Sequence, residues 1–305
     1  MNDHLAAWNA GVGRTGNASA RRASLRHKLS LYIWLLLTAS GIAGGLVIQF
    51  LFDEQVISAR GTLFLHIAES MVNQLDRDMA ARLNEITMHA GDERLTRDLL
   101  SPEQRRELLT RWRDNSAFAW IGLLDRNGKI AIASDGLLEG ADVSKRDYFL
   151  AGLRGEAYAG DVHEAHLLAQ HMAPPRHDSL PLRFVDVAHP ILDEEGAFAG
   201  VLVAHISWDW AGDVRNGLLQ PLGNARGLEV ILFSSEGKPL IGPDSVMASS
   251  QQEIFPRGGK ERAEGDGYQL THDENGQEYL AGFAFSKGVM GFPGMCWFSG
   301  NMTTV

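Results

Sequence analysis

The stretch "VSKRDYFLAGLRG", from Val143 to Gly155, sets a guanidinium, Arg146, beside two aromatic rings, Tyr148 and Phe149, at the start of a predicted helix. An arginine offers a planar fork of donors that matches a carboxylate, and flanking rings can wall a small site. Trp120, upstream, is a further candidate wall. Downstream, Asp161, His163, Glu164, His166, His171 and His177 crowd one segment, and imidazole with carboxylate is a credible ligand set for zinc or copper. "HEAH" nevertheless lacks the i, i+4 spacing of a zinc helix, and Pro174-Pro175 interrupts the run before His177. The segment therefore reads as a polar loop edging a pocket, with no metal and no other cofactor expected. The alternative is a metal-binding or metal-dependent hydrolytic protein using the His163 to His177 cluster. No G-x-S-x-G elbow or P-loop occurs, and "GVGRTGNASA" follows no strand, so no catalytic residue is assigned and an enzyme is not expected.

These groups have to be positioned by a folded chain. The 305 residues suffice for one large domain or two modest ones. With 28 Lys and Arg against 38 Asp and Glu the formal charge is -10, which argues against a nucleic-acid partner, because phosphates call for a basic face. The single cysteine, Cys296, excludes an intramolecular disulfide framework and a cysteine-based zinc cluster.

From Leu29 to Phe52, "LSLYIWLLLTASGIAGGLVIQFLF" carries no charged side chain. At about 1.5 Å per residue it crosses a hydrocarbon core of roughly 30 Å, so it reads as an uncleaved transmembrane helix. Arg14, Arg21, Arg22, Arg26 and Lys28 precede it and acids follow, which predicts a single-pass inner-membrane protein with a cytoplasmic N-terminus and a periplasmic bulk. Gly41 and Gly45 form a G-x-x-x-G that lets two spans approach. Glycine is common in spans, so the motif alone does not establish pairing, but a homodimer is the expected assembly.

Residues 1 to 28 read as a cytoplasmic tail, disordered because it is small, polar and glycine-rich at its start. Beyond the span, Val56, Leu63, Ile67, Met71, Leu75, Met79, Leu83 and Ile86 recur at helical spacing, and a shorter helix begins at Ser101-Pro102-Glu103. Residues 53–115 are thus stalk and connecting helices. Four hairpins follow, turning at Asp125–Gly128, Asp193–Gly196, Ser235–Gly237 and Asp273–Gly276. Their grouping in two pairs, joined by a helix at "WDWAGDVRNGLL", suggests a duplication: modules over 116–210 and 211–305. The first carries the long insertion that holds Arg146 and the histidines. The stretch "SKGVMGFPGMCWFSGNMTTV" is apolar but broken by proline and glycine and far too short for a second span, so the second module is expected to be incomplete at its C-terminus and the chain to be truncated.

Tail, span, long helix and tandem sheet modules together resemble a bacterial extracytoplasmic double Cache sensor. The likeness is carried by "WIGLLDRNGKIAIAS", "GADVSKRDYFLAGLRG", "AGDVHEA" and "RFVDVAHPILDEEGAFAGVLVAHISWDW", in that order. It implies an α+β fold of two PAS-like antiparallel sheet modules, and ligand sensing of the kind that precedes diguanylate cyclases, histidine kinases and chemoreceptors. In amino-acid-binding members the pocket helix reads R-x-W-Y; here the pattern is Arg146-Asp147-Tyr148-Phe149. The acid that holds the ligand ammonium is replaced by His205, and the loop tyrosine by Val162 and His163. The resemblance thus implies a small organic anion or aromatic metabolite as ligand, bound by Arg146, Tyr148, Phe149, Trp120, Asp161, His163 and His205. A stand-alone structural dimerisation module is the remaining alternative.

Overall fold

The computed structural model describes residues 16–97, 99–164, 168, 170–171, 182–223, 227–234, 237–243, 265–272, 276–295 and 298–304. The chain divides into two units, Met1–Ala59 and Arg60–Val305. Helix α1 (Gly16–Ala90) belongs in part to each.

Within the first unit, every residue from Leu25 to Gln55 is exposed. The most apolar window of the helix has a mean hydropathy of 2.0 and no buried residue. An apolar surface that packs on nothing in its own chain needs lipid as its solvent, so this segment is a membrane-spanning helix and not a core helix. Residues 16–28, expected in a disordered tail, are helical instead. Alanine, arginine and leucine are good helix formers, and extending an existing helix avoids the cost of nucleating one. Residues 1–15 of that expected tail lie outside the described residues.

In the second unit, α1 buries Phe64, Ile67, Ala68, Met71, Val72, Leu75, Met79 and Ile86, a three-and-four spacing that lays one stripe on the core. Leu63, expected in the stripe, is 48% exposed, and Phe64 begins it instead. After a short turn of helix α2 (Glu93–Thr96), α3 (Pro102–Asp114) opens as its sequence dictates. Ser101 accepts from the Gln104 N–H, the Gln104 side chain returns the bond, and Pro102 fills the first turn.

Strands β1 (Phe118–Leu124), β2 (Ile130–Ala133), β3 (Tyr158–Ala159), β4 (His163–Glu164), β5 (Arg183–Leu192) and β6 (Phe198–Ser207) form one antiparallel sheet in the order β2-β1-β6-β5-β3, with β4 also on β5. Helix α4 (Asp147–Leu153) lies in the β2–β3 connection, and α5 (Asp209–Leu219) leads to the second sheet. There β7 (Glu229–Phe233), β8 (Pro239–Ile241), β9 (Gly267–His272), β10 (Glu278–Phe285) and β11 (Phe298–Thr304) run β8-β7-β11-β10-β9. The two orders are the same when β6 is matched with β11 and β5 with β10.

The expected hairpin pairs form, β1 with β2, β5 with β6, β7 with β8 and β9 with β10. Residues 235–236 and 273–275, at two of the turns, lie outside the described residues, as does Cys296. The stretch "FSGNMTT" supplies β11, which pairs with both β7 and β10 as the central strand of the second sheet. The equivalent of hairpin β5–β6 is therefore β10–β11, and β9 takes the place of β3.

Both faces of the first sheet are covered. Ile121, Leu123, Val185, Val187, Leu202 and Ala204 join Met71, Leu75 and Leu109 in one cluster. Trp120, Leu124, Phe184, Ala188, Val201 and Val203 join Tyr148 and Phe149 in another. Alternation along each strand assigns its residues to one face or the other.

Helix α1 is fastened to the second sheet by one carboxylate. Buried Asp76 accepts from the Ser286 hydroxyl at 2.6 Å and from the Lys287 and Gly288 N–H groups at 3.1 and 2.8 Å. One half-turn on, Asp78 accepts from the Trp210 indole N–H of α5 at 2.8 Å. Asp76→Ala removes the acceptor of three buried or part-buried hydrogen bonds and is expected to cost on the order of 3 kcal/mol, read as a lower midpoint in chemical denaturation of the chain in detergent.

A second tie links α3 to the β2–α4 loop. Arg106 donates to both oxygens of Glu139 at 2.9 and 2.8 Å, and the Ala133 N–H adds a third bond. Arg106 above all holds the Glu139 carboxyl below its usual value. A depressed acid contributes stability above its unfolded value of about 4.3 and loses it as pH falls through the lower folded value. Glu139→Gln is expected to shrink the fall in melting temperature on acidification, which melting curves from about pH 6 to pH 3 check.

Candidate functional site

The site grows out of the β1–β2 turn. Gly128 takes a left-handed φ of 79°, which closes the hairpin, and its carbonyl accepts from the Val143 N–H at 2.8 Å. A bridge between Lys129 and Asp142 extends that tie. A Cβ at Gly128 would lie 2.5 Å from Ser144 Cα, so the glycine also lets the loop "VSKR" press directly on the turn. The loop runs into α4 with Arg146 as N-cap, and the Arg146 carbonyl accepts from the Phe149 and Leu150 N–H groups. The backbone does the capping, since a guanidinium can only donate, and Arg146 is an exposed residue. Neither Asp142 nor Asp147 pairs with it, and among the described residues it makes no ion pair.

Arg146 edges a cavity of about 200 Å³ on the α4 face of the first sheet. Trp120, Tyr148, His163, Glu164, Asp186 and His205 line it, with Ile130, Leu138, Ala141, Val143 and Leu168 as apolar wall. Drug-sized sites measure about 300–1,000 Å³, so the occupant is small.

Five of the seven residues expected at a site thus meet here: Arg146, Tyr148, Trp120, His163 and His205. Phe149 does not line the cavity. It is buried against Phe198, ring centroids 6.1 Å apart, because neighbours on a helix point about 100° apart and only one of the pair can face the cavity. Asp161 acts through its backbone: its carbonyl accepts from His163 Nδ1 at 3.2 Å, while its carboxylate accepts from the Val162 N–H. Of the histidine-rich segment, His163 faces the cavity and His171 sits in a turn, whereas His166 and His177 lie outside the described residues.

Trp120 is held flat. Its ring crosses Gly122, where a Cβ would meet it at 2.1 Å, its indole N–H donates to the Leu137 carbonyl at 3.1 Å, and it stacks on His205 at 4.9 Å. Burial, above all, raises the Tyr148 hydroxyl well out of its ordinary range, and Tyr158 beside it is pushed up to about 12, so both rings act as neutral donors.

The residue that sequence reasoning missed is Asp186. It pairs with His205 across β5 and β6 in register, and both are buried, at 6% and 7% exposure. His205 Nδ1 hydrogen-bonds one carboxylate oxygen, and His163 Nε2 lies 3.5 Å from the other. Burial pushes the Asp186 carboxyl up, but His205, His163 and Arg146 outweigh it and hold the group ionised below its usual value. A carboxylate thus stands directly opposite His205, one strand away. The available signal was a single aspartate inside the apolar run "FVDVAHPIL".

No protein-family model matches the chain, and no curated protein does. Solved structures match along most of its length. The periplasmic sensory domain of the Campylobacter jejuni chemoreceptor Tlp1 gives a TM-score of 0.55 at 17% identity, over 81% of this chain and 95% of that one. The ligand-binding domain of the Pseudomonas aeruginosa PAO1 amino acid chemoreceptor PctB, in complex with L-Arg, gives 0.52 at 20% identity, over 82% and 94%. That of PctC from the same organism, in complex with GABA, gives 0.54 at 17% identity, over 82% and 99%. The chain has the fold of a double Cache sensor domain. In this double Cache fold the cavity belongs to the module built on β1 to β6, where the long insertion adds α4, β3 and β4.

Gly128→Ala places a side chain at positive φ and against Ser144. It is expected to cost about 1–3 kcal/mol and to move the loop that carries Arg146, read as a lowered melting temperature with altered fluorescence of Trp120.

Proposed function

We propose that the chain is a membrane-anchored extracytoplasmic sensor that binds a small organic anion in the cavity of its first module. The observation that carries this is Arg146: a guanidinium without an ion pair among the described residues, at the edge of an apolar-walled cavity. A ligand carboxylate takes the fork of donors, and Trp120 and Tyr148 cover the carbon skeleton. L-Arg and GABA, the ligands in the two Pseudomonas complexes, each bear a carboxylate, which is consistent with that role. Both also bear a cationic nitrogen. In this chain the two Asp186 oxygens already face His205 and His163, so Asp186 offers an ammonium little, which favours an anion without one.

The remaining assignments fit the same reading. Basic residues before the span keep the N-terminus in the cytoplasm and put the sheets in the periplasm. Gly41 and Gly45 leave open space on the span, where a second copy packs to form a homodimer. The modules correspond to residues 116–210 and 211–305.

Thermal-shift and calorimetric screening of the detergent-solubilised chain against organic acids and amino acids tests the reading. A carboxylate ligand is expected to bind at least tenfold more weakly to Arg146→Ala, the loss of one charge-assisted contact of about 1.5–3 kcal/mol. A ligand whose affinity is the same in Arg146→Ala sinks the assignment.

A further inference from the structure

His163, Asp186 and His205 come from three different strands, yet they share one face of the sheet. His163 is opposite Phe184 on β5, Asp186 stands two residues on, and His205 is opposite Asp186 on β6. Pairing register, not a mobile loop, sets them together. The candidate donor atoms of the three all lie within 4.8 Å of one another, at the wall of the cavity.

The hydrogen bonds define what these donors present. The Asp161 carbonyl can only accept, so His163 Nδ1 carries a proton and donates it there. The lone-pair nitrogen of a neutral His163 is then Nε2, and it faces an Asp186 oxygen at 3.5 Å. Two acceptors turned toward each other repel unless a cation lies between them. A histidine whose second nitrogen is fixed by a backbone carbonyl is the arrangement found around bound metals, where the outer partner sets tautomer and ring direction. When an ion binds, the proton that His205 Nδ1 donates to Asp186 is released to solvent, and two imidazoles and one carboxylate then make a donor set with one negative charge, which leaves coordination positions of a divalent ion for water or a ligand.

We infer that His163, Asp186 and His205 form a binding site for a divalent transition-metal ion of the zinc class, inside the sensory cavity. Donors on one such ion, at about 2.0–2.2 Å from it, stand roughly 3.5 Å apart; His163 Nε2 and Asp186 already have that spacing, and no pair of the three exceeds 4.8 Å. This site is not the histidine-rich run seen in the sequence: it takes His163 from that run and two residues from the paired strands. It also goes beyond the anion reading, since Arg146 is no part of it. An ion here places positive charge beside Arg146 and turns the cavity further toward anionic and chelating ligands.

The test uses the full chain in detergent, stripped of metal by a chelator and titrated with zinc by calorimetry and with cobalt by visible absorption. One equivalent per chain is expected, with cobalt bands of a site holding nitrogen and oxygen donors. His163→Gln, at a half-buried position that the fold tolerates, and Asp186→Asn are each expected to weaken zinc at least tenfold. Arg146→Ala is expected to keep the metal while losing the organic anion, so the two readings fail separately. Absence of stoichiometric zinc or cobalt binding overturns the site. Binding that is unchanged in both His163→Gln and Asp186→Asn overturns it as well, by putting the ion on other histidines.

Discussion

A carboxylate taken out of water costs several kcal/mol unless positive charge or hydrogen bonds meet it, and the first module is organised around one such group, Asp186. On the cavity face of β5 and β6 its neighbours are Phe184, Ala188, Val201 and Val203, none of which can help. The compensation comes from His205 directly opposite, from His163 on the short strand β4, and from Arg146 across the cavity. That compensation depends on register. A slip of one residue between β5 and β6 would send either Asp186 or His205 through the sheet into the apolar cluster with α1, so the charge pair and the strand pairing enforce each other.

The same strands face two ways. Val185, Val187, Leu202 and Ala204 pack with Met71 and Leu75 of α1, while Asp186 and His205, their chain neighbours, reach the cavity. Close-packed cores transmit displacement because they hold few voids to absorb it. A change in what sits beside Asp186 therefore has only the thickness of one sheet to cross before it meets α1, which Asp76 in turn binds to the second sheet.

Much of this was legible in the sequence where local chemistry decides the outcome. Asn127-Gly128 and Glu195-Gly196 turn hairpins because glycine accepts positive φ, and Ser101-Pro102 with Gln104 starts a helix whatever lies around it. Arg146, Tyr148 and Trp120 could be placed at one cavity from the order of segments. What escaped depends on partners distant in the chain. Asp186 is one polar residue in an apolar run, and only the pairing of β5 with β6 reveals that it meets a histidine. Phe149 and Tyr148 look equivalent in sequence, and only the seating of α4 on the sheet separates cavity wall from core. Strand β11 was hidden because Gly300 and Asn301 interrupt "FSGNMTT", which follows Pro293 and Gly294; its place is imposed by the open edges of β7 and β10.

The position of β11 has a consequence for synthesis. The first sheet has its central strand, β6, as soon as Ser207 has been made, and can close while the rest of the chain is still being translated. The second closes later: β7 with β8 and β9 with β10 are two separate ribbons until Phe298–Thr304 arrives to join them. Until then each presents an unpaired edge with apolar side chains such as Ile231 and Phe283, a template for pairing with another chain. The two modules, alike in strand order, thus face different hazards on the ribosome, and the later one depends on a short polar strand finding a slot that is already waiting for it.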